Sequence, residues 1–313
     1  MTEPQLKYVQ CLGSAGLRRM AYWEWACVGA AGAQAPVLVC VHGLTRQGRD
    51  FDTLARRMSE SHRVICPDVA GRGRSDWLPQ AFGYQIPTYV ADMVVLLARL
   101  DVEQVDWVGT SMGGLIGMGL AALPALSGAA GASGVATSLV RRMVLNDVGP
   151  ELGFEALQRI GSYLGQHMRF DSQEQGAAYL ASISPGFGPH SAAQWAALSA
   201  PMFKPVESGA GGDGVEGGVR LHYDPQLAAP FAQVSREAAE AGTAALWQAY
   251  DSLTCPTLLL RGAESDLLSS ATAQAMTQRG PRARLHEFAG VGHAPTLVQA
   301  DQIEVVREFL GAV

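Results

Sequence analysis

The chain has 313 residues, of which 48% are hydrophobic and 17% are charged, and its formal net charge is −6 at pH 7. This length and composition are enough to bury a sizeable core, and the negative net charge argues against nucleic acid or an anionic membrane as a partner. The opening residues have neither the basic nor the apolar region of a secretory signal, and no apolar run reaches the roughly 18 residues of a membrane span. We therefore expect a cytoplasmic protein.

The five cysteines are scattered along the chain rather than clustered. Their odd number and the lack of C-x-x-C spacing favour buried, reduced thiols over a disulfide framework. No group of histidines and cysteines has the spacing of a metal site. The sequence therefore suggests neither a metal nor a cofactor.

Predicted strands alternate with amphipathic helices over the first half of the chain. The continuous apolar run at 36–41 is typical of a strand buried on both faces of a parallel sheet. The predicted elements, in chain order, are strands at 7–11, 19–27 and 36–41, a helix at 50–60, a strand at 63–68, a helix at 88–100, and strands at 105–108 and 142–146. This alternation predicts an α/β fold.

The glycine-rich loop Gly71–Asp76 follows the strand at 63–68 and looks at first like a phosphate cradle. It lacks the lysine and the serine or threonine of a P-loop, and no acidic ribose-binding residue of a dinucleotide fold follows it. We do not expect it to bind phosphate.

The pattern changes near residue 150. Residues 151–249 contain helical stretches, such as 154–165 and 173–182, but no buried strand of the earlier kind. Within them, 208–218 consists almost entirely of turn formers and small residues, which is typical of a surface loop. The alternation then resumes with a strand at 256–262, a helix at 268–278, a strand at 283–288 and a helix at 296–311. We expect a core domain formed by 1–149 and 250–313, interrupted by a helical insertion at 150–249.

The pentapeptide Gly109–Gly113, with serine at position 111, lies between a predicted strand and a predicted helix. In this context G-x-S-x-G lifts a serine onto a sharp turn as a nucleophile, and the glycines leave room where the turn is tightest. Ser111 also lies at a helix N-terminus, where backbone N–H groups favour negative charge. The motif predicts that Ser111 is the nucleophile.

A serine nucleophile needs a general base and a carboxylate that orients the base. His293 fits the base, because it lies on the loop between the last strand and the last helix. Asp266 follows the preceding strand and gives the chain order Ser…Asp…His, so we expect it to be the acid. Asp147, directly after the strand at 142–146, and Glu264, on the same loop as Asp266, are the alternatives.

Two backbone N–H groups must also stabilise the oxyanion. One would come from Met112, directly after the serine, and the other from Leu44, on the loop after the strand at 36–41. Gly43 lets that loop approach closely, and His42 is expected to have a structural role. Arg46, further along the loop, is a candidate for binding a substrate carboxylate.

The chain resembles α/β-hydrolase-fold proteins over essentially its whole length. The motifs that carry the resemblance occur in the family's order: His42-Gly43, Gly71–Ser75, Gly109–Gly113, Gly262–Asp266 and Gly292-His293. The resemblance implies a mostly parallel eight-stranded sheet with helices on both faces and a helical lid after the sixth strand. Family members with dehalogenase or epoxide hydrolase activity have an aspartate nucleophile, so a serine at position 111 argues against those activities.

The resemblance also implies hydrolysis of a small-molecule ester through an acyl-enzyme, without a cofactor, by a monomer or homodimer. The segments His42–Arg46 and Leu221–Pro225 are similar to intracellular hydrolases of short esters, some of which act on 3-hydroxybutyrate oligomers. We therefore expect a carboxylesterase for short-chain or small hydroxyacyl esters. The alternatives are a carbon–carbon bond hydrolase of aromatic degradation, with Arg46 anchoring a dienoate carboxylate, and a non-catalytic ligand receptor on the same fold.

Overall fold

The computed structural model describes residues 3–126, 138–166, 168–206, 218–233 and 235–311. A central sheet of eight strands has the order β1-β2-β4-β3-β5-β6-β10-β11. The strands of the described residues are β1 Gln5–Gly13, β2 Gly16–Trp25, β3 Val37–Val41, β4 Arg63–Pro67, β5 Val105–Thr110, β6 Val140–Asn146, β7 Arg169–Phe170, β8 Phe203–Pro205, β9 Val219–Leu221, β10 Thr257–Gly262 and β11 Arg284–Phe288.

The sheet is antiparallel only at its N-terminal edge. Strands β1 and β2 form a hairpin, and β2 also pairs antiparallel with β4, whereas β4, β3, β5, β6, β10 and β11 are all parallel. Parallel strands end at the same edge, so the loops after β3, β5, β6, β10 and β11 gather there. The predicted fold, a mostly parallel eight-stranded α/β sheet, is confirmed.

Helices cover both faces of this sheet, as the helix bounds and their buried residues show. The helices of the described residues are α1 Asp52–Met58, α2 Ile86–Leu100, α3 Met112–Leu126, α4 Phe154–Tyr163, α5 Gln173–Ile183, α6 Ala192–Ser199, α7 Arg236–Asp251, α8 Ser270–Gln278 and α9 Ala300–Gly311. Helices α2, α3 and α8 pack on one face and α1 and α9 on the other.

Strand β3 shows why the central strands read as continuous apolar runs. Val37, Val39 and Val41 belong to the cluster with α2 and α3, whereas Leu38 and Cys40 belong to the cluster with α1 and α9. Because successive side chains of a strand point to opposite faces, every residue of this strand must be apolar. All five cysteines are unpaired, and four of them are buried.

The segment between β6 and β10 adds no strand to the main sheet in its described part. It contains α4 to α7 and a small sheet of order β7-β9-β8. The helices predicted at 154–165 and 173–182 correspond to α4 and α5, whereas the three short strands were not predicted. The surface loop expected at 208–218 lies outside the described residues except for Gly218. Helix α7 runs to Asp251, so the expected boundary at 249 falls within a helix. We refer to residues 150–249 as the inserted segment.

The two leading strands extend further toward their turn than predicted, to Gly13 and Gly16, whereas the second strand ends at Trp25 and not at residue 27. The predicted helix at 50–60 begins with a 3₁₀ turn at Gly48–Phe51 and ends at Met58. Within the described residues, none of the helices has the length and apolar character needed to cross a membrane.

Candidate active site

Ser111 lies on a sharp turn between β5 and α3. Its φ of 52° places a non-glycine residue in the left-handed region, which is strained for a side chain with a Cβ. The flanking glycines explain how the turn fits: a Cβ on Gly109 would lie 2.3 Å from the carbonyl oxygen of Gly113, and one on Gly113 would lie 2.0 Å from that of Val41. The turn predicted from G-x-S-x-G is therefore present, with Ser111 at its tip.

The Ser111 hydroxyl and the His293 imidazole are in hydrogen-bonding contact. The distance from Ser111 Oγ to His293 Nε2 is 3.0 Å. On the other side of the ring, His293 Nδ1 lies 2.7 Å from Asp147 Oδ2. A carboxylate accepts hydrogen bonds, so Nδ1 carries the proton and Nε2 is free to accept the serine proton. The side chains of Ser111, His293 and Asp147 thus form one hydrogen-bonded line.

Asp147 is held in place from several sides. It is fully buried, and its own N–H donates to the carbonyl of Leu260 at 2.8 Å. Its carboxylate accepts the N–H of Gly262 at 2.9 Å and the hydroxyl of Ser265 at 2.6 Å, in addition to His293. Buried polar groups need hydrogen-bond partners, and these donors hold the Asp147 carboxylate in place beside His293.

The expectation for Asp266 is not met. Its side chain is 55% exposed and pairs with Arg159 of α4 at 2.6 Å, whereas the carboxylate at His293 belongs to Asp147. The path of the loop after β10 explains this. Gly262 and Ser265 bond to Asp147, whereas Asp266 already lies at the protein surface. Glu264 is also exposed, and its contribution to this region is a backbone bond to Val291 at 2.9 Å.

The two expected oxyanion donors are the N–H groups of Met112, directly after the serine, and of Leu44, directly after Gly43. Gly43 is close to Ser111, since a Cβ on it would lie 3.8 Å from the serine Cβ. The ring of His42 contacts the Gly43 carbonyl at 2.7 Å and accepts the N–H of Val69 at 3.0 Å. Because the peptide unit is planar and trans, fixing the Gly43 carbonyl also fixes the direction of the Leu44 N–H.

Burial lowers the pKa of His42 to about 3, so this ring is neutral and structural, as expected. Arg72, also fully buried, donates to the carbonyl of Leu44 at 2.8 Å and to that of Ala70 at 2.7 Å. In the described ranges, no group accepts the N–H of Leu44 or of Met112.

Arg46 lies near the site, but its guanidinium is already engaged. It forms two hydrogen bonds with Asp50, at 2.6 and 2.8 Å, and one with the carbonyl of Leu198 at 2.9 Å. It borders a small cavity of about 40 Å³, also lined by Phe187 and by Thr110 next to the serine. Asp50 neutralises the charge that was expected to bind a substrate carboxylate.

The inserted segment packs directly on the loop that carries His293. A Cβ on Gly186 would lie 2.8 Å from the N atom and 2.9 Å from the carbonyl oxygen of His293. The Gly186 carbonyl accepts the N–H of Gly292 at 2.7 Å, and His190 bonds to Thr296 at 2.7 Å. The sequence analysis missed Gly186 and Ser265, because nothing in the local pattern shows which loop residues meet across the site.

Among the residues that the structure describes, no group of three or more histidine, cysteine, aspartate or glutamate side chains could hold a metal ion. The candidate site consists of a serine, an imidazole, a buried carboxylate and two backbone N–H groups. This arrangement can activate a hydroxyl for attack on a carbonyl carbon.

The chain is similar to known proteins over most of its length. Residues 38–308 match the model of the alpha/beta hydrolase family. The chain is 53% identical over 306 residues to a 3-hydroxybutyrate-oligomer hydrolase of Cupriavidus necator, covering 98% of this chain and 97% of that protein.

Two more distant relatives match most or all of the chain. A 2-(acetamidomethylene)succinate hydrolase of Mesorhizobium japonicum is 28% identical over 279 residues, covering 88% of each chain. The crystal structure of an alpha/beta hydrolase from Novosphingobium aromaticivorans superposes with a TM-score of 0.82 at 32% identity and covers 100% of both chains. From the family match and these relatives together, the chain belongs to the alpha/beta hydrolase family.

Proposed function

We propose that this protein hydrolyses esters of small hydroxy acids, with 3-hydroxybutyrate oligomers as the substrate class, through an acyl-enzyme on Ser111. The observation that carries the proposal is the hydrogen-bonded line from Ser111 Oγ through the His293 ring to Asp147, with distances of 3.0 and 2.7 Å. The substrate class is supported by the activity named for the relative that is 53% identical over almost the full length.

In the proposed first half-reaction, Ser111 Oγ attacks the ester carbonyl carbon while its proton moves to His293 Nε2. The carbonyl oxygen becomes an oxyanion, which the N–H groups of Leu44 and Met112 stabilise. When the tetrahedral intermediate collapses, the bond to the alkoxy oxygen breaks, and His293 returns the proton to that oxygen. The shorter oligomer leaves with a new hydroxyl end.

In the second half-reaction, water takes the place of the serine hydroxyl. His293 accepts a proton from the water as its oxygen attacks the acyl carbon, and the same proton returns to Ser111 Oγ when the acyl–serine bond breaks. The acyl part is released as a carboxylic acid. Throughout, Asp147 keeps the imidazole in one tautomer and stabilises the imidazolium.

The surroundings of the site favour an ester over a dienoic ketone. The carbon–carbon reaction needs a polar anchor for the substrate carboxylate, and the candidate anchor, Arg46, is bound to Asp50 and to the carbonyl of Leu198.

The proposal predicts serine-dependent hydrolysis of both a dimer or trimer of 3-hydroxybutyrate and p-nitrophenyl butyrate. Both activities should be nearly abolished in Ser111→Ala. Without the nucleophile, the residual rate is at most roughly 10³–10⁴-fold above that of the uncatalysed reaction in water. Release of 3-hydroxybutyrate by chromatography and of p-nitrophenol by absorbance measures the two activities. Circular dichroism confirms that the variant is folded.

Different results would contradict the proposed substrate class and the proposed serine mechanism. If p-nitrophenyl butyrate is cleaved in a Ser111-dependent manner but the oligomers are not, then the substrate class is wrong. If neither ester is cleaved and a fluorophosphonate probe leaves Ser111 unmodified by mass spectrometry, the serine mechanism itself is contradicted. The receptor alternative predicts that second result.

A further inference from the structure

The cavity of about 40 Å³ near Ser111 is bordered by four parts of the chain. Thr110 lines it from the end of β5, Gly43 from the loop after β3, Pro295 from the loop after β11, and Phe187 from the inserted segment. We call it the side cavity. A group bound there lies beside the nucleophile turn and between the loops that follow β3 and β11.

The side chain of Asn146 determines how the Thr110 hydroxyl is used. Asn146 is fully buried, and its Nδ2 lies 2.8 Å from the carbonyl oxygen of Pro295 and 2.9 Å from Thr110 Oγ1. A carbonyl oxygen only accepts hydrogen bonds, so the part of the amide that faces Pro295 must be the NH₂ group. The same NH₂ group donates to Thr110 Oγ1, and the hydroxyl proton of Thr110 is left over.

Two threonines line the side cavity, and they differ in whether this proton has an acceptor. Within the described residues, the side chain of Thr110 has no hydrogen bond besides the one that it accepts from Asn146. Thr296 is already engaged: His190 Nδ1 donates to the carbonyl of Gly188 at 3.0 Å, so Nε2 of the neutral ring accepts the hydroxyl proton of Thr296 at 2.7 Å. Thr110 is half-buried, and its hydroxyl is therefore a donor that a ligand can use.

The charges around the side cavity favour a neutral ligand group. Arg46 and Asp50, which both line it, form two hydrogen bonds with each other at 2.6 and 2.8 Å. A substrate carboxylate would meet the negative charge of Asp50 as well as the positive charge of Arg46. A carboxylate has further acceptor sites after it has bonded to arginine. The lining thus offers Thr110 as a donor and Asp50 as an acceptor, and a hydroxyl group can pair with both kinds of partner.

We propose that the side cavity binds the free hydroxyl group of the hydroxyacyl unit whose carbonyl carbon Ser111 attacks, with Thr110 as the donor. The choice of a hydroxyacyl unit rests on the proposed function. An oligomer of 3-hydroxybutyrate has a free hydroxyl at one end only, on its terminal unit. A cavity that selects this group places the terminal ester carbonyl at Ser111. The oligomer is therefore shortened from its hydroxyl end, one unit at a time.

A pair of esters that differ only in this hydroxyl tests the role of Thr110. For p-nitrophenyl 3-hydroxybutyrate, we expect Thr110→Val to lower kcat/KM about threefold to tenfold more than for p-nitrophenyl butyrate, as for the loss of one neutral hydrogen bond. Thr110→Ser, which keeps the hydroxyl, should keep the wild-type ratio of the two values. The matched control is Thr296→Val, which should change both values by the same factor. Equal losses for the two esters in Thr110→Val would overturn the proposal.

Hydrolysis of a 3-hydroxybutyrate trimer in H₂¹⁸O measures the direction of cleavage. The oxygen of the attacking water enters the carboxylate of the acyl part, and the leaving alcohol keeps its own oxygen. Early in the reaction, we expect mass spectrometry to find ¹⁸O in the released monomer and none in the dimer. Label in the dimer instead would show that the bond nearer the carboxyl end is cut first, which contradicts the proposal.

Binding measurements keep this proposal separate from the proposed function. In Ser111→Ala protein, ligand-observed NMR titration compares methyl 3-hydroxybutyrate with methyl butyrate and requires no turnover. A preference for the hydroxy ester that Thr110→Val removes supports the side cavity as a hydroxyl site, even if no ester is hydrolysed by the wild type. Equal affinity for both esters, lack of binding by either, or a preference that Thr110→Val leaves unchanged overturns it.

Discussion

The loops after β6 and β10 each carry an aspartate near the same edge of the sheet, and the two aspartates differ in burial and in their partners. Asp147 comes directly after β6, is fully buried and bonds to His293 at 2.7 Å. Asp266 comes four residues after the end of β10, is 55% exposed and pairs with Arg159. Depth below the surface, rather than order along the chain, decides which carboxylate reaches the imidazole.

The loop after β10 nevertheless contributes to the site. Gly262 and Ser265 donate to the two oxygens of Asp147, at 2.9 and 2.6 Å. The loop after β6 thus carries the proposed acid, and the loop after β10 carries the donors that hold it. The position of one side chain at the site depends on two neighbouring strands.

Exchanging each aspartate for asparagine tests directly which of the two carboxylates supports His293. We expect Asp147→Asn to lower kcat by about 10³–10⁴-fold, because an amide no longer favours the required tautomer of His293. Asp266→Asn should stay within about twofold of the wild type, as surface substitutions usually do. Steady-state kinetics with p-nitrophenyl butyrate measures both, and the reverse ranking would restore Asp266 as the acid.

Adding a methyl group at Gly262 tests the packing of the loop after β10. A Cβ there would lie 2.2 Å from the carbonyl oxygen of Gly292 and 2.5 Å from that of Val291. The loop carrying His293 must therefore move, and a displacement of this kind costs on the order of 10² in rate. The matched control is Gly242→Ala in α7, where a Cβ meets nothing within 4 Å. Equal kcat values for the two variants would contradict the prediction.

Removing the Ser265 hydroxyl should have an intermediate effect. Ser265→Ala takes away one donor to the buried Asp147 carboxylate, and hydrogen bonds to charged groups contribute about 1.5–3 kcal/mol. We expect kcat to fall by about tenfold or more while KM changes little, since Ser265 acts through Asp147 and His293. A proportional change in KM instead would show that Ser265 supports substrate binding.

The exposed pair between Arg159 and Asp266 should matter least. Both side chains are about half exposed, at 47% and 55%, and exposed ion pairs contribute about 0–1 kcal/mol. Arg159→Gln should therefore lower the free energy of unfolding by less than about 1 kcal/mol and leave kcat unchanged. Urea denaturation at low and high salt measures this. A loss of several kcal/mol would mean that the pair anchors α4 to the core.

Much of this fold follows from local patterns in the sequence. The apolar runs identify the parallel strands, because a strand buried on both faces needs every side chain to be apolar. Ser111 and His293 were also predictable: one lies in a strand–turn–helix motif with glycines where the chain crowds, and the other lies on the loop after the last strand. The structure brings both together.

The acid was not predictable from the same reasoning. Asp147 and Asp266 both follow strands, and the pattern does not show that Asp147 adopts a φ of 56° or that Ser265 turns toward it. The short strands β7, β8 and β9 have two or three residues each, too few for a periodicity to emerge. The contact of Gly186 with His293 depends on residues over a hundred positions apart. These features are tertiary, so local sequence carries no signal for them.

The order of elements along the chain separates the residues after β5 and β6 from the inserted segment. Strands β5 and β6 are paired neighbours, with Thr110 opposite Asn146, so their register positions the residues that follow them, Ser111 and Asp147. Both are in place before the inserted segment begins. Changes in the outer parts of that segment should therefore leave the placement of Ser111 and Asp147 unaltered, on condition that position 186, whose backbone meets His293, keeps a glycine.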